Sequence, residues 1–329
     1  MSEMKVAFAG FRHGHIFALY EMAKKHAGYE IVDACEADEA AREAAAARGV
    51  VFTYTAYEEM LAATTAETVL IGSPFGERGR MAIAALRAGK NVICDKPLCT
   101  DLGELDEIER LAREKGLFVS CMFTMRFEEK ITTVRSAILG GALGRIQNVY
   151  FGGQHPLQYG RRPAWYFEEG KHGGVINDIA IHGIDLLSFL FGFETERIAA
   201  ARAWNAYATE EPQFLDSAQL MLVGKGGEGV IADVSYAVPD GVEFALPHYW
   251  QFYVWGTEGA ISFSLNGEVT LYRKGQKEGE ILTPQATTDY LSDFLSLTRG
   301  EEGVILPMEE VFRSTRATLL IQRFADEGR

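Results

Sequence analysis

From Val6 to Met122 the chain alternates short, largely apolar runs with segments of helical period, and this limits its fold more than any other feature. Val6–Ala9, Ile31–Cys35, Val69–Ile71, Val92–Cys94 and Leu117–Met122 lack the in–out alternation of half-exposed strands. Strands of that kind are covered on both faces, the situation of a parallel sheet flanked by helices. The intervening segments supply those helices. One carries Ile16, Leu19, Tyr20 and Ala23, the Ala-rich stretch Ala40–Arg48 is closed by Gly49, and Met81–Ala88 is stopped by Gly89. Leu102, Leu105, Ile108 and Leu111 mark a fourth, with Asp101 and Glu104 as a capping box and Gly116 beyond its end. A further, weaker strand is expected near Val51–Tyr54. The pattern predicts a doubly wound α/β sheet.

The pattern changes after Phe123. A helix (Ile131–Leu139) and a strand (Ile146–Phe151) lead into an aromatic and basic stretch, Gln154–His172, followed by a strongly apolar helix over Gly174–Leu190. Longer strands then follow at Ile198–Tyr207, Ala218–Val223, Gly229–Val238, Trp250–Trp255 and Ala260–Leu265. The turns among them hold Gly-Gly, Pro-Asp-Gly and Asn-Gly, which read as antiparallel hairpins. Helices near Asp289–Thr298 and Met308–Phe324 close the chain. A length of 329 residues suits two domains. We expect residues 1–123 to form a nucleotide-binding domain and 124–329 a substrate-binding α+β domain with an open, mostly antiparallel sheet.

Charge narrows the partners. With 46 acidic against 32 basic residues the net charge is −14, which disfavours nucleic acid and anionic membrane surfaces. Met1–Val6 leads almost directly into the first strand, with no apolar signal core, and no apolar stretch is long enough to span a bilayer. Cys35, Cys94, Cys99 and Cys121 form neither a CxxC pair nor a zinc spacing with histidine, so they read as free thiols of a cytoplasmic protein.

Three places carry chemistry. Gly10-Phe11-Arg12-His13-Gly14-His15 sits between the first strand and first helix, where a dinucleotide pyrophosphate meets a helix N-terminus. Its spacing departs from G-x-G-x-x-G, with Arg12 and His15 in place of the second and third glycines. The two histidines lack a third ligand nearby, so no metal is expected. Glu36, at the end of the second strand, can accept hydrogen bonds from ribose hydroxyls and repel a 2′-phosphate, which favours NAD over NADP. Arg12 pulls the other way. Asp95-Lys96-Pro97 ends the Val92–Cys94 strand on the carboxyl edge, where Lys96 would meet a substrate hydroxyl and stabilise an alkoxide. On the Gly174–Leu190 helix, 100° per residue puts Asp178, His182 and Asp185 in one narrow arc. A helix otherwise so apolar is buried, and an imidazole beside a carboxylate is suited to taking a hydroxyl proton. A structural network or dipole-satisfying acids would use the same residues.

These residues together resemble the Gfo/Idh/MocA oxidoreductases, named for glucose–fructose oxidoreductase and inositol dehydrogenase. Besides the turn at Gly10–His15, Ser73-Pro74-Phe75 ahead of Ala82–Val92 is similar to the family's Thr-Pro-Asn segment. Asp95-Lys96-Pro97 stands for Glu-Lys-Pro, and Gly173-Gly174 with Asp178, His182 and Asp185 matches G-G-x-x-x-D-x-x-x-H-x-x-D. Arg126-Phe127 and Gly256–Gly259 also fit. The resemblance implies a Rossmann domain binding NAD through Gly10–His15, Glu36, Ser73, Pro74, Phe75, Asp95, Lys96 and Pro97. It implies a sugar, inositol or related polyol substrate and the catalytic set Lys96, Asp178 and His182. It also implies a homodimer or homotetramer built through the second domain's sheet. Arg126, Arg162, Trp165 and Tyr166 join Asp178 and His182 as expected substrate contacts, although the His155–Lys171 stretch would equally suit packing against another subunit. An NAD-dependent glycosidase on the same scaffold and a non-catalytic NAD-binding sensor stay open as alternatives. Phe75 for Asn, Arg78 where histidine is frequent, and Asp95 for Glu depart from the family pattern.

Overall fold

Val6, Ala7, Phe8 and Ala9 are wholly buried in β1 (Met4–Ala9), as an apolar strand covered on both faces must be. The computed structural model describes residues 3–239 and 241–328; Met1, Ser2 and the Asp240 of the Pro-Asp-Gly turn lie outside them. β1 pairs in parallel with β2 (Tyr29–Cys35) and β3 (Thr68–Ile71), and β4 (Asn91–Cys94) and β5 (Val119–Cys121) extend the sheet. The order β2-β1-β3-β4-β5 is that of a doubly wound sheet. Its helices are α1 (His15–Lys25), α2 (Glu39–Ala46), α3 (Tyr57–Ala63), α4 (Phe75–Arg87) and α5 (Leu102–Lys115). Asp101 caps α5 by accepting the Glu104 N–H at 2.9 Å, and Gly116 ends it in the left-handed conformation.

The strand expected near Val51–Tyr54 does not form. The Thr53 and Tyr54 N–H groups both converge on the Ala34 carbonyl, at 3.0 and 3.2 Å, so β2 gains a single bridge there and not a ladder. Val51 is left 73% exposed, so this apolar run is not a strand covered on both faces.

The chain divides into two compact units. The first comprises the residues to Met122 together with Pro163–Gly173 and Asp289–Thr315; the second holds Phe123–Arg162, Gly174–Thr288 and the chain from Arg316. Helix α8 (Tyr290–Arg299) therefore falls in the nucleotide unit. Tyr290 bonds Ser120 at 2.8 Å and the Tyr29 hydroxyl donates to the Leu291 carbonyl at 2.8 Å.

The second unit contains α6 (Glu129–Leu139), α7 (Ile181–Phe191) and an eight-stranded mixed sheet. Its strands are β6 (Ile146–Pro156), β7 (Thr195–Trp204), β8 (Ser217–Gly224), β9 (Gly229–Val238), β10 (Gln251–Gly256), β11 (Gly259–Phe263), β12 (Thr270–Arg273) and β13 (Glu280–Ile281). Helix α9 (Met308–Glu327) closes the chain and is divided between the units. All pairs are antiparallel except β6 with β9, and β6 lies between β9 and β10. The Gly-Gly and Asn-Gly turns thus join hairpins, whereas β9 and β10 do not pair and lie on either side of β6. Side chains alternate across the pleat. Phe151, Phe252 and Phe263 stack on the covered face, with the last two centroids 4.8 Å apart, and each such burial is worth roughly 2–3 kcal/mol. Met221, Ile231, Tyr253, Trp255 and Tyr272 stay exposed on the other face.

The helix expected over Gly174–Leu190 is not uniform. Ile176–Ala180 forms a π turn, and regular α geometry begins only at Ile181. Gln322 reaches in from α9 to accept the Ile176 N–H at 3.1 Å, and its amide lies where a Cβ on Gly174 (φ +97°) would stand. A side chain inserted at a helix start widens that turn, and such π segments are frequent at functional sites.

Candidate active site

In the first unit the Gly-rich turn is shaped for a close approach. Gly10 has φ +82°, and a Cβ there would lie 2.1 Å from the Ser73 hydroxyl. Gly14 opens α1 with no side-chain cap and no atom within 4 Å of its Cβ position, the open helix N-terminus that suits a pyrophosphate. The Phe11 side chain is buried, and its N–H donates to Glu36 Oε2 at 2.6 Å. Glu36 Oε1 accepts from the Asp38 N–H at 2.8 Å, so two of a carboxylate's roughly four acceptor positions remain for a ribose. Arg12 lies 3.5 Å from Asp38.

Behind the turn, Asp95 is a fully buried hub. Its carboxylate meets His13 Nδ1 at 2.5 Å, His15 Nδ1 at 3.1 Å and Arg78 at 3.0 Å. Burial opposes its charge, yet His13, Arg78 and His15 hold the carboxyl well below its usual range. Burial lowers the His13 imidazole to about 3, against the opposing pull of Asp95. Asp95 supplies the third group that the sequence did not place beside His13 and His15, and the three are spaced as metal ligands could be. Arg78 already occupies the same carboxylate, and a fixed positive charge 3.0 Å from a ligand oxygen disfavours a dication. The cluster is a compensated ion network.

Arg78 is the residue whose role the sequence did not disclose. Fully buried, it donates from Nε to the Ser73 carbonyl at 2.8 Å and from one Nη to the Asp95, Lys96 and Pro97 carbonyls at 2.9, 2.5 and 3.3 Å. It thereby ties the Ser73-Pro74 loop to the Lys96 corner. Lys96, 3% exposed, points its Nζ 5.7 Å from the Phe75 ring centroid.

Trp165 and Tyr166, expected as substrate contacts, belong to the first unit and are buried. The indole N–H donates to the Arg12 carbonyl at 3.1 Å, and both rings pack on Phe75, at 4.9 and 5.6 Å. They brace the Gly-rich turn.

The second unit carries the Asp-His helix. Asp185 is engaged by Arg126 through two bonds of 2.7 and 2.8 Å, both residues almost fully buried, so this expected substrate arginine serves a structural pair. Arg162 donates to the Leu157 and Pro156 carbonyls at 2.7 and 2.6 Å. Asp178 accepts from the Tyr236 hydroxyl. His182 stands edge-on to Trp250 at 5.6 Å, and Trp250 holds a left-handed φ of +53°. His155 bonds Tyr249 at 3.2 Å nearby. Burial, then Asp178, pushes the Tyr249 phenol up to about 12. Sequence reasoning missed Tyr236, Tyr249, Trp250 and His155. Tyr236 had a signal: it is the polar member of the inward series Val230, Ala232, Val234, Tyr236, Val238.

The four cysteines are free and buried. Burial raises the Cys35 and Cys94 thiols to about 12, which leaves them unreactive. Among the described residues, no helix is long and apolar enough to cross a membrane.

Known proteins share this organisation. Residues 4–123 match the oxidoreductase family with an NAD-binding Rossmann fold, and residues 131–262 match the GFO/IDH/MocA C-terminal domain. The scyllo-inositol 2-dehydrogenase (NADP(+)) of Bacillus subtilis is 26% identical over 270 residues, 76% of this chain and 74% of that protein. The levoglucosan dehydrogenase of Pseudarthrobacter phenanthrenivorans is 28% identical over 216 residues, 59% of this chain and 54%, about half, of its own length. A putative oxidoreductase from Erwinia carotovora atroseptica superposes with a TM-score of 0.87 at 23% identity, over 98% of this chain and 99% of the other. With both domains matched in order and the Gly-rich turn, Lys96 corner and Asp-His helix in place, the chain belongs to the Gfo/Idh/MocA family of NAD(P)-binding oxidoreductases.

Proposed function

We propose that this chain is an NAD-dependent dehydrogenase that moves a hydride between the nicotinamide and a secondary carbinol carbon of a neutral sugar, inositol or related polyol. The observation that carries the reading is the buried Asp178 and His182 on a helix built mainly of apolar residues, a setting in which titratable groups need a reason to be present. When bound, the nicotinamide would accept the hydride from carbon. His182 would take the hydroxyl proton as the carbonyl forms, Lys96 would donate to the developing oxygen anion, and Asp178 would orient His182 or the substrate. The Glu36 carboxylate favours NAD, since a 2′-phosphate would meet its charge.

A neutral substrate is favoured over a sugar acid because Arg126 and Arg162 are committed to Asp185 and to backbone carbonyls. Titration of NAD and NADP, followed by absorbance assays on paired aldoses, inositols and sugar acids, tests this. We expect reduction of NAD with kcat/KM at least about tenfold higher for neutral members of each pair. Tight NAD binding without reduction would shift the reading to a glycosidase or a sensor, and equal use of the acids would defeat the substrate class.

The open face of the second sheet supports association with a second copy. Met221, Ile231, Tyr150 and Tyr253 stand side by side across four strands, with Trp255 and Tyr272 in the adjoining rows. A continuous apolar row of this kind on an uncovered sheet is the usual mark of an interface. Sedimentation should show a dimer or tetramer, and Trp255→Glu should yield a smaller species. A wild-type monomer at micromolar concentration would rule the interface out.

A further inference from the structure

Tyr236 stands in the inward register of β9 between Val234 and Val238 and is 2% exposed. A buried phenol requires a partner for its hydroxyl, and here the partner is Oδ2 of the Asp178 carboxylate. The ring that delivers this bond is held on several sides within the same unit. The Arg162 guanidinium carbon lies 4.8 Å from its centroid and the Phe214 ring 5.4 Å away, while the Tyr236 N–H donates to the Asp216 carbonyl at 2.8 Å. Asp216 is itself fully buried. It accepts the Ala206, Tyr207 and Ala208 N–H groups at 2.9, 2.7 and 2.8 Å and the Ser217 hydroxyl at 3.0 Å, which fixes the loop that carries Phe214.

Asp178 needs such a support more than most carboxylates do. It lies in the π turn, where a carboxylate's direction relative to His182 is not set by ordinary helix geometry. A hydrogen bond to a charged acceptor from a confined donor sets direction as well as energy. We propose that Tyr236 is a positioning residue for hydride transfer, its phenol fixing the orientation in which Asp178 acts on His182 or on the substrate. The inference rests on the dehydrogenase reading above and assigns Tyr236 no contact with the reacting atoms.

Tyr236→Phe keeps the ring between Arg162 and Phe214 and removes only the hydroxyl. We expect kcat to fall about 10- to 100-fold, with KM for the polyol within about threefold and NAD affinity and thermal midpoint near wild type. In an Asp178→Asn background the same change should cost less than about twofold, because the carboxylate it serves is gone. Phe214→Leu, which loosens the ring without touching its hydroxyl, should give a smaller kcat loss that also disappears in that background. A Tyr236→Phe enzyme with wild-type kcat, or one whose loss persists in full beside Asp178→Asn, would overturn the assignment and leave the dehydrogenase reading standing. If wild type reduces no cofactor with any polyol, that reading falls and the positioning role falls with it.

Discussion

Replacing Lys96 with methionine is expected to lower kcat by about 10²- to 10⁴-fold while leaving NAD affinity within a few-fold of wild type. Methionine fills nearly the same volume as the lysine stem, and the site is only 3% exposed, so the substitution removes a charged amine without opening a cavity. His182→Asn should give a loss of similar size. The double variant should be little worse than either single one, because groups that act on one proton and one oxygen do not contribute independently. Initial rates of NAD reduction, with cofactor affinity from protein fluorescence, separate these effects. Activity within tenfold of wild type in the Lys96→Met enzyme would remove Lys96 from the reacting centre.

Arg78→Met should have the largest effect on stability. It would leave the buried Asp95 charge without its permanent counter-charge and strip donors from the carbonyls of Ser73, Asp95, Lys96 and Pro97. Breaking one side of a buried pair costs about 3–5 kcal/mol, equivalent to a thermal midpoint lower by roughly 10 °C in a protein of this size. Lysine would not rescue it, since a point charge cannot reach along both the loop and the corner. The pH dependence has a definite sign. The wild-type Asp95 carboxyl is held below its unfolded value of 3.8, so its contribution is present above that pH and is lost only as pH falls through the lower folded value. Removing Arg78 raises the folded value, so the variant's deficit should be greatest near neutrality and shrink in acid as Asp95 takes up a proton. A midpoint difference that stays constant as pH falls from neutrality through 3.8 would assign the loss to the carbonyl bonds instead.

What could be read from the sequence was set by how locally each feature is determined. β1, β3 and β4 were legible because strands buried on both faces have to be apolar throughout. The α5 cap was legible because Asp101 and Glu104 are three residues apart. Val51 and Phe52 looked the same as those strands, yet only the meeting of two N–H groups on Ala34 decided against a ladder. Gln322, 146 positions from Ile176, bonds the start of the π turn, and no helical period contains that contact. Arg78 could be recognised as a departure from a family pattern. Its partners, however, are brought to it by the meeting of a loop and a strand end. Trp165 reads from its residue type as a substrate contact, and its bond to Arg12 spans 153 positions.

The interleaving of the two units constrains how this chain can be made and cut. The nucleotide unit is assembled from three separate stretches, the last ending at Thr315. A ribosome that has finished Met122 has delivered the whole parallel sheet but not Trp165, which donates to the Gly-rich turn, nor Tyr290 and Leu291, which bond Ser120 and Tyr29. Folding of a first domain ahead of the second, the usual course for a two-domain chain, would here proceed without those bonds. The early sheet lacks those partners until residues 163–173 and 289–315 have emerged. A fragment ending at residue 122 would carry the same deficiency permanently. Recombining this enzyme with its relatives at the apparent domain boundary would separate the turn from its brace, so crossovers that keep residues 163–173 and 289–315 with their own N-terminal half are the ones expected to fold.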